Sequence, residues 1–404
     1  MKRYILDDVL TLALKRKKMA FISGPRQVGK TTLAKEMQKQ YSESKYLNWD
    51  ESEFRKIWTK SPNKIKEKFE LEKIDQTRLL ILDEIHKSKN WKQKLKGLYD
   101  ELNEDLQIIV TGSARLNIFK KGGDSLLGRY LLFRLHPFSY GELLNAPKVT
   151  PEVWKSNLFE KKSTIKNERE ILERLYKYSG FPEPYLAASD KILKIWRRGR
   201  NEKIVREDLR DLSRLPELSR IEMLTSLLPE KVGSPLSVQS LREDLEVAHD
   251  TVTRWLNYLN QLYYFFELKP WTKQVARTIK KEGKIYLYDW TNIETDGPRF
   301  ENFIASHLLK ACHFWTDTGE GDFNLHYLRN KEKQEIDFLM VKDKKPWLMI
   351  ECKWSDTQIE YKKIEKFQNY FNCPFVQVVY SPNIWRLTEN QLVCSADRLL
   401  GQLP

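Results

Sequence analysis

The chain has few cysteines and no long apolar run. Its 404 residues include four cysteines, at Cys312, Cys352, Cys373 and Cys394, and no two of them form a C-x-x-C pair. This spacing indicates neither a zinc knuckle nor a disulfide framework. No apolar stretch approaches the ~20 residues that a transmembrane helix needs, and the first eight residues are too charged for a signal peptide. We therefore expect a cytoplasmic protein with reduced thiols and no membrane partner.

Basic residues outnumber acidic ones, but not evenly along the chain. The formal net charge is +14, with +11 in residues 1–190, +6 in residues 191–284 and −3 in residues 285–404. A basic surface attracts polyanions such as DNA. The first two thirds of the chain are therefore the expected DNA-binding part, and a lysine-rich surface without a nucleic-acid partner is the alternative.

The most specific motif reads G-x-x-x-x-G-K-T. It comprises Gly24, Pro25, Arg26, Gln27, Val28, Gly29, Lys30, Thr31 and Thr32. An apolar run precedes the motif and apolar residues at helical spacing follow it, which is the strand–loop–helix context of a phosphate-binding loop. Backbone N–H groups of such a loop surround the phosphates. Lys30 would then contact the β- and γ-phosphates of ATP, and Thr31 would bind Mg²⁺.

A second motif supports nucleotide hydrolysis. The apolar run 79–82 ends in Asp83 and Glu84, and a continuous apolar run is typical of a parallel strand buried on both faces. Acids at the carboxyl end of such a strand lie where α/β sheets bind their ligands. Asp83 is predicted to hold Mg²⁺, and Glu84 to polarise the attacking water.

Two further roles have more than one candidate. A polar tip follows the apolar run 107–110, and there Thr111 or Ser113 would either sense the γ-phosphate or cap the next turn. Arg129, with Arg115 as the alternative, is the candidate arginine finger, acting in its own chain or in a neighbouring subunit. An ordinary surface arginine is the other interpretation.

These motifs together resemble a known family. The phosphate loop, Asp83-Glu84, Thr111-Gly112-Ser113 and Gly128-Arg129 are similar to those of prokaryotic AAA+-type ATPases that carry a C-terminal DUF4143 region. The stretches 138–143 and 179–186 resemble the same family, so the likeness covers essentially the whole chain. It implies a five-stranded parallel core with helices on both faces, followed by a helical lid.

The middle of the chain predicts a winged helix-turn-helix. Three helical patterns and a strand occupy residues 217–270, and Ser237 is placed to cap the second helix. The third helix, from Asp250, has an apolar inner face and an outer face of Thr251, Arg254, Asn257 and Gln261. Such a helix reads DNA in many winged helices, and docking of a protein partner is the alternative.

The last third carries a separate constellation of charged residues. A helix is predicted to present Glu301, and predicted strands carry Asp337 and then Glu351 and Lys353, which alternation places on one face. The pattern resembles the PD-(D/E)xK nuclease core, as the DUF4143 likeness also implies. Asp337 and Glu351, completed by Glu301, would hold Mg²⁺, and Lys353 would assist attack on a phosphate. An inherited fold that no longer cleaves is the alternative.

The expected fold class is therefore α/β, and the chain is expected to have four parts. A P-loop ATPase core (1–144) precedes a linker and helical lid (145–205), a winged-helix region (206–284) and a restriction-endonuclease-like domain (285–404). We expect an ATPase that uses ATP and Mg²⁺, engages DNA, carries a candidate DNA-cleaving domain and assembles with itself through the ATPase core. The rivals are a nucleotide-switched interaction protein with a silent last domain, and a ring-forming motor.

Overall fold

The computed structural model describes residues 2–68, 77–101, 106–112, 126–160, 168–209, 217–272, 282–356 and 361–404. The chain divides into two compact units, Met1–His136 and Pro137–Pro404. Within the described ranges, every helix is too short or too polar to cross a bilayer.

The first unit is built on a five-stranded parallel sheet in the order β2-β3-β4-β1-β5. Its strands are β1 (Met19–Ser23), β2 (Glu43–Asn48), β3 (Arg78–Asp83), β4 (Leu106–Gly112) and β5 (Tyr130–Arg134). The strands are rich in Ile, Leu, Val and Phe because the inner ones are buried on both faces. The predicted five-stranded parallel core is thereby confirmed.

Among the described residues of this unit, four helices and several tighter turns accompany the sheet. The helices are α1 (Leu6–Asp8), α2 (Lys30–Gln38), α3 (Ser52–Lys60) and α4 (Trp91–Glu101). A π-helical turn, Val9–Ala13, and a 3₁₀ turn, Leu14–Arg16, continue α1, so the helical segment before β1 has irregular turns. The apolar sides of α3 and α4 pack on one face of the sheet, where Trp58 and Leu95 are fully buried.

The second unit begins with helices. They are α5 (Tyr140–Leu143), α6 (Pro151–Phe159), α7 (Arg169–Tyr178), α8 (Pro182–Ala187), α9 (Asp190–Glu202), α10 (Leu218–Leu227), α11 (Val238–Leu245) and α12 (His249–Gln261). Ser237 caps α11 as predicted, because its hydroxyl accepts a hydrogen bond from the Ser240 amide at 3.2 Å. On α12 the predicted apolar residues are buried, whereas Arg254, Asn257 and Gln261 are exposed.

A two-stranded antiparallel ribbon follows α12. It pairs β6 (Phe265–Leu268) with β7 (Lys284–Leu287). The domain boundary predicted between residues 284 and 285 therefore falls inside β7, because that strand was not recognised in the sequence. Its short run, Lys284–Leu287, has too few residues to show a period.

The carboxyl-terminal part contains a six-stranded mixed sheet in the order β12-β13-β11-β10-β9-β8. Its elements are α13 (Asp296–Asp317), β8 (Phe323–Arg329), β9 (Glu335–Lys342), β10 (Lys345–Lys353), α14 (Tyr361–Phe371), β11 (Phe375–Val379), β12 (Trp385–Thr388), β13 (Gln391–Ser395) and α15 (Ala396–Leu400). β8, β9 and β10 form an antiparallel meander, and β10, β11 and β13 run parallel. The sheet thus brings the carboxyl ends of β10 and β11 to one edge.

Candidate functional sites

The phosphate loop connects β1 directly to α2. Gly29 adopts a left-handed conformation with φ of +99°, and a Cβ on Gly24 would lie 2.2 Å from the Leu135 carbonyl oxygen. Both positions thus require glycine, for different reasons. The loop turns so that α2 begins at Lys30, which places a helix amino terminus behind the phosphate position.

The Lys30 ammonium group lies inside the loop. Its Nζ donates to the carbonyl oxygens of Gly24 at 3.0 Å and Pro25 at 2.8 Å, and the residue is buried. A buried ammonium at this position is ready to exchange carbonyl partners for phosphate oxygens, which are stronger acceptors. The structure therefore places Lys30 where the motif predicts it.

Asp83 stands at the centre of a cluster of hydroxyl groups. Thr31 Oγ1 donates to Asp83 Oδ2 at 3.0 Å, and Tyr46 and Thr111 also donate their hydroxyl hydrogens to this carboxylate. Burial, followed by the hydrogen bond to Asp83, raises the pKa of the Tyr46 hydroxyl. The contact between Thr31 and Asp83 joins the two motifs across the sheet edge, and these hard oxygen donors fit Mg²⁺.

Glu84 follows Asp83 in an unusual backbone conformation. Its φ is +57°, and its amide donates to the Thr111 carbonyl oxygen at 3.0 Å. His86 Nε2 lies 3.4 Å from Glu84 Oε2. This left-handed turn and the amide bond to Thr111 hold Glu84 directly after Asp83 at the carboxyl end of β3.

The remaining predicted residues of this unit have different outcomes. Ser113 and Arg115 lie outside the described residues. Arg129 immediately precedes β5, and its carbonyl bonds to the amide of Met19 at the start of β1, so it lies at the edge of the sheet opposite the phosphate loop. Its guanidinium pairs with Asp100 at 2.8 Å. Arg129 therefore does not act on the phosphate loop of its own chain, and only a role in a neighbouring subunit stays a prediction.

Two residues near the amino terminus were missed in the sequence. Arg3 Nη1 donates to the Val28 carbonyl oxygen at 2.8 Å, and Nη2 donates to that of His136. Tyr4 donates its hydroxyl hydrogen to the Arg134 carbonyl oxygen at 2.8 Å. The pair thus ties the phosphate loop to the end of β5, and no sequence period signals such a contact.

The second site lies in the carboxyl-terminal sheet. Asp337 on β9 is one position beyond the pair Phe338–Ile350, and therefore stands opposite Glu351 on β10. Asp337 Oδ2 accepts from the Cys352 amide at 2.8 Å. Lys353 Nζ lies 3.1 Å from Glu351 Oε1, which confirms that these two side chains share a face. Lys363 on α14 reaches the same oxygen at 2.7 Å.

The two carboxylate oxygens of Glu351 have different surroundings. Oε1 receives both lysines, whereas Oε2 is buried and has no hydrogen-bond partner among the described residues. A buried carboxylate oxygen without a partner fits a cation. Within the described ranges, however, no three His, Cys, Asp or Glu side chains are close enough to hold a metal ion. The expected three-carboxylate shell of Glu301, Asp337 and Glu351 is thus not assembled.

Strand β7 contributes two residues that the sequence did not indicate. Tyr286 donates its hydroxyl hydrogen to Glu301 Oε1 at 2.7 Å, and the buried Lys284 pairs with Glu335 Oε2 at 2.8 Å. Burial and then the neighbouring carboxylates raise the pKa values of Glu301 and Asp337. Burial alone would lower the pKa of Lys284, but the carboxylates of Glu301, Asp337 and Glu335 together outweigh burial, and the pKa is raised. The cluster is thus partly neutralised by its own lysines.

Comparison with known families follows the same division of the chain. Residues 16–144 match the family model described as an AAA domain. Residues 169–291 and 296–391 match two domains of unknown function, DUF8612 and DUF4143. The match over residues 16–144 supports an AAA-type ATPase domain in this part of the chain, and the expected DUF4143 match is present.

Similar proteins and structures are distant. A protein of Methanocaldococcus jannaschii described as uncharacterised is 25% identical over 376 residues, which cover 84% of this chain and 74% of that protein. One of Haemophilus influenzae is 24% identical over 344 residues, covering 80% and 79%. The Aeropyrum pernix ORC1 protein in complex with DNA covers 76% of this chain and 93% of its own, with 12% identity and a TM-score of 0.36. AMPPCP-bound DnaA from Aquifex aeolicus covers 64% and 86%, with 16% identity and a TM-score of 0.29. Overlays this loose carry no functional argument.

Proposed function

We propose that the chain binds and hydrolyses ATP with Mg²⁺ at the phosphate loop. The observation that carries this proposal is the 3.0 Å contact between Thr31 and Asp83, which joins the two nucleotide motifs. Lys30 would bind the phosphate oxygens of ATP. Thr31 and Asp83 would hold the Mg²⁺, which when bound neutralises charge on the β- and γ-phosphates.

Glu84 would supply the base in this reaction. Its carboxylate orients a water molecule, whose oxygen attacks the γ-phosphorus while the bond to the β-phosphate oxygen breaks. His86, 3.4 Å from Glu84 Oε2, holds that carboxylate in place. Thr111 would act through Asp83, whose carboxylate it contacts. Arg129 of a second copy is the candidate finger, and this role requires self-association.

Two substitutions test the proposal. Lys30→Ala removes the cation and is expected to abolish tight ATP binding, measured with a fluorescent ATP analogue. Glu84→Gln is expected to retain binding and to lower the turnover by ~100-fold or more, since only proton transfer is affected. Lys39→Ala is the matched control, because Lys39 is an exposed lysine at the end of the same helix. Unchanged hydrolysis in Glu84→Gln would remove Glu84 from the mechanism.

We infer further that the second unit engages DNA. The exposed face of α12 offers Arg254, Asn257 and Gln261, which are side chains able to contact bases or phosphates. The winged-helix region 206–284 has 13 basic and 12 acidic residues, whereas the preceding residues 191–205 have 6 basic and 1 acidic one. The contacts with DNA phosphates would therefore come from α9 rather than from the winged-helix region. On α9 the exposed basic residues are Lys191, Lys194 and Arg198.

The salt dependence of DNA binding distinguishes phosphate contacts made by α9 from base contacts made by α12. Replacing Lys191, Lys194 and Arg198 together with glutamine should weaken DNA binding for every sequence and reduce the salt slope by about three. Arg254→Ala should instead change sequence preference. If both variants bind DNA like the parent protein, α12 and α9 serve a protein partner, which is the interaction-switch alternative.

A second candidate function is cleavage of DNA in the carboxyl-terminal domain. The observation in its favour is Glu351 Oε2, buried without a hydrogen-bond partner beside Asp337 among the described residues. Asp337 and Glu351 would hold Mg²⁺, which when bound stabilises charge on the scissile phosphate. Lys353 would stabilise the negative charge that develops as a water oxygen attacks phosphorus and the P–O bond breaks.

A gel assay decides between an active and a silent domain. Supercoiled and linear DNA are incubated with Mg²⁺ or Mn²⁺, with and without ATP, beside Lys30→Ala, Lys353→Ala and the control Lys362→Ala, an exposed lysine on α14. Cleavage that disappears in Lys353→Ala but not in Lys362→Ala supports the nuclease, and its response to Lys30→Ala shows whether ATP controls it. Absence of cleavage, together with ATP turnover indifferent to DNA, favours the nucleotide-switched protein with a silent last domain.

A further inference from the structure

A stack of aromatic and guanidinium groups lies at the carboxyl ends of β10 and β11. We call it the stacking platform and define it by Arg169, Trp354 and Tyr380. The rings of Trp354 and Tyr380 stack with centroids 4.3 Å apart and an interplanar angle of 14°. The Arg169 guanidinium carbon lies 4.3 Å from the Tyr380 ring centre. Aromatic rings stacked this closely form one extended flat surface.

Neighbouring groups hold the platform rigid. Tyr176 contacts both rings, at centroid distances of 5.8 Å from Trp354 and 5.0 Å from Tyr380. Phe300 meets both edge-on, at 6.1 and 5.6 Å. Arg169 is fixed by bonds to the Tyr380 carbonyl oxygen at 2.8 Å and to Glu173 at 2.9 Å. These side contacts leave the outer end of the stack to Trp354.

Trp354 is exposed although the rest of the platform is packed. It retains 37% of its accessible surface, whereas most tryptophans of the chain are buried. Among the described residues, its ring contacts are Tyr176, Phe300 and Tyr380. An exposed tryptophan held by aromatic neighbours offers a preformed stacking face at little entropic cost.

The position of Trp354 connects it to the cleavage site. It follows Lys353 directly, so the two Cα atoms are ~3.8 Å apart. Lys353 shares the Glu351 face of β10, whereas Trp354, one residue beyond the end of that strand, packs against Phe300 and Tyr176. Because β10 ends at Lys353, a nucleotide whose base stacks on Trp354 would pass around the end of the strand, and its adjoining phosphate would face Lys353.

We propose that the stacking platform binds an unpaired base of single-stranded DNA and thereby presents the adjoining phosphate to the Asp337, Glu351 and Lys353 site. The inference rests on the proposed cleavage function and specifies its substrate. Bases within a duplex are already stacked and cannot reach a protein ring, so a single strand or a frayed end is the matching ligand.

Fluorescence anisotropy of a labelled 20-nucleotide oligo-dT, measured on the full chain with EDTA and without ATP, tests binding apart from cleavage. Trp354→Ala should weaken binding of the single strand by about tenfold, as loss of one stacked base predicts. Trp354→Phe should recover most of that loss. Tyr370→Ala is the control, because Tyr370 is an exposed aromatic residue of the same domain outside the platform. Circular dichroism verifies that each variant is folded.

Several results would overturn the proposal. They are equal affinity of Trp354→Ala and the parent protein for oligo-dT, a loss in Trp354→Ala that is as large for a blunt duplex as for oligo-dT, tighter binding of oligo-rU than of oligo-dT, and no binding of oligo-dT at all. Binding through Trp354 without cleavage in the gel assay would retain the platform and reject the nuclease. Cleavage that is insensitive to Trp354→Ala would retain the nuclease and reject the platform.

Discussion

The two candidate sites are assembled in opposite ways. In the first unit, a contiguous loop supplies backbone groups, and the central carboxylate of Asp83 is bonded to uncharged hydroxyls from Thr31, Tyr46 and Thr111. In the second, side chains from separate elements meet, and Glu351 is bonded to the charged lysines Lys353 and Lys363. A carboxylate held by hydroxyls keeps its full negative charge for a cation, whereas one held by lysines is already compensated.

Because of this difference, the two sites should be sensitive to different kinds of substitution. The phosphate loop depends on backbone shape, so glycine substitutions should damage it most. The carboxyl-terminal site depends on charge balance and burial, so removal of the Lys363 ammonium or of the Tyr286 hydroxyl should change its metal affinity or its stability by degrees.

The largest effect is expected from Gly24→Ala. The added Cβ would lie 2.2 Å from the Leu135 carbonyl oxygen, so the loop must shift away from β5. A displacement of about 1 Å at a reacting group costs ~100-fold in rate, and ATP hydrolysis measured by phosphate release should fall at least this far. Gly97→Ala on α4 is the control, since a Cβ there has no atom within 4 Å, and it should stabilise the unit by ~0.5–1 kcal/mol. Equal turnover in both variants would contradict the assigned loop geometry.

Acid should destabilise the second unit through His307. Burial lowers the pKa of His307 to about 3, while its Nε2 accepts from the Tyr140 amide at 3.2 Å. The pKa of His307 is lower in the folded protein than in the unfolded chain. The contribution of neutral His307 to the free energy of unfolding is therefore fully present above pH ~6.5 and is lost as the pH falls toward 3. The contribution is at most ~1.4 kcal/mol per pH unit. Urea unfolding between pH 7 and 4 should show a smaller slope in His307→Gln, which keeps an acceptor but cannot titrate; identical slopes would refute the role.

The sequence predicted the first site better than the second, for a physical reason. A phosphate loop is encoded by adjacent residues, and the apolar run before Asp83 marks a buried strand, so Lys30, Thr31 and Asp83 could be placed together. The contributions of Arg3, Lys284 and Tyr286 arise from tertiary contacts between distant segments, which leave no local period. Arg129 was a poor candidate within its own chain because strand direction, and not proximity in sequence, decides which sheet edge a residue occupies.

Replacement of Lys363 is expected to have an intermediate effect, because this lysine competes with a metal ion for Glu351. Lys363 Nζ lies 2.7 Å from Glu351 Oε1, so Lys363→Met removes a cation that opposes binding of a second one. We expect Mn²⁺ to bind about fivefold more tightly, equivalent to about 1 kcal/mol, in titrations followed by electron paramagnetic resonance. Lys362→Met removes the same charge from an exposed neighbour and should have little effect. Weaker Mn²⁺ binding in Lys363→Met would show that the lysine supports the site instead of competing for it.

The smallest effect is expected from Tyr286→Phe, which separates charge balance from packing at the second site. The ring remains in the core, but Glu301 Oε1 loses the donor now 2.7 Å away. Loss of one hydrogen bond to a buried group costs about 1 kcal/mol, which should lower the urea midpoint of the second unit and leave ATP turnover unchanged. Tyr258→Phe, on half-buried α12 surface, is the control for removal of a hydroxyl. If Tyr286→Phe were instead more stable than the parent protein, burying the Tyr286 hydroxyl would cost more free energy than its hydrogen bond to Glu301 contributes. Tyr286 would then not stabilise the carboxylate cluster.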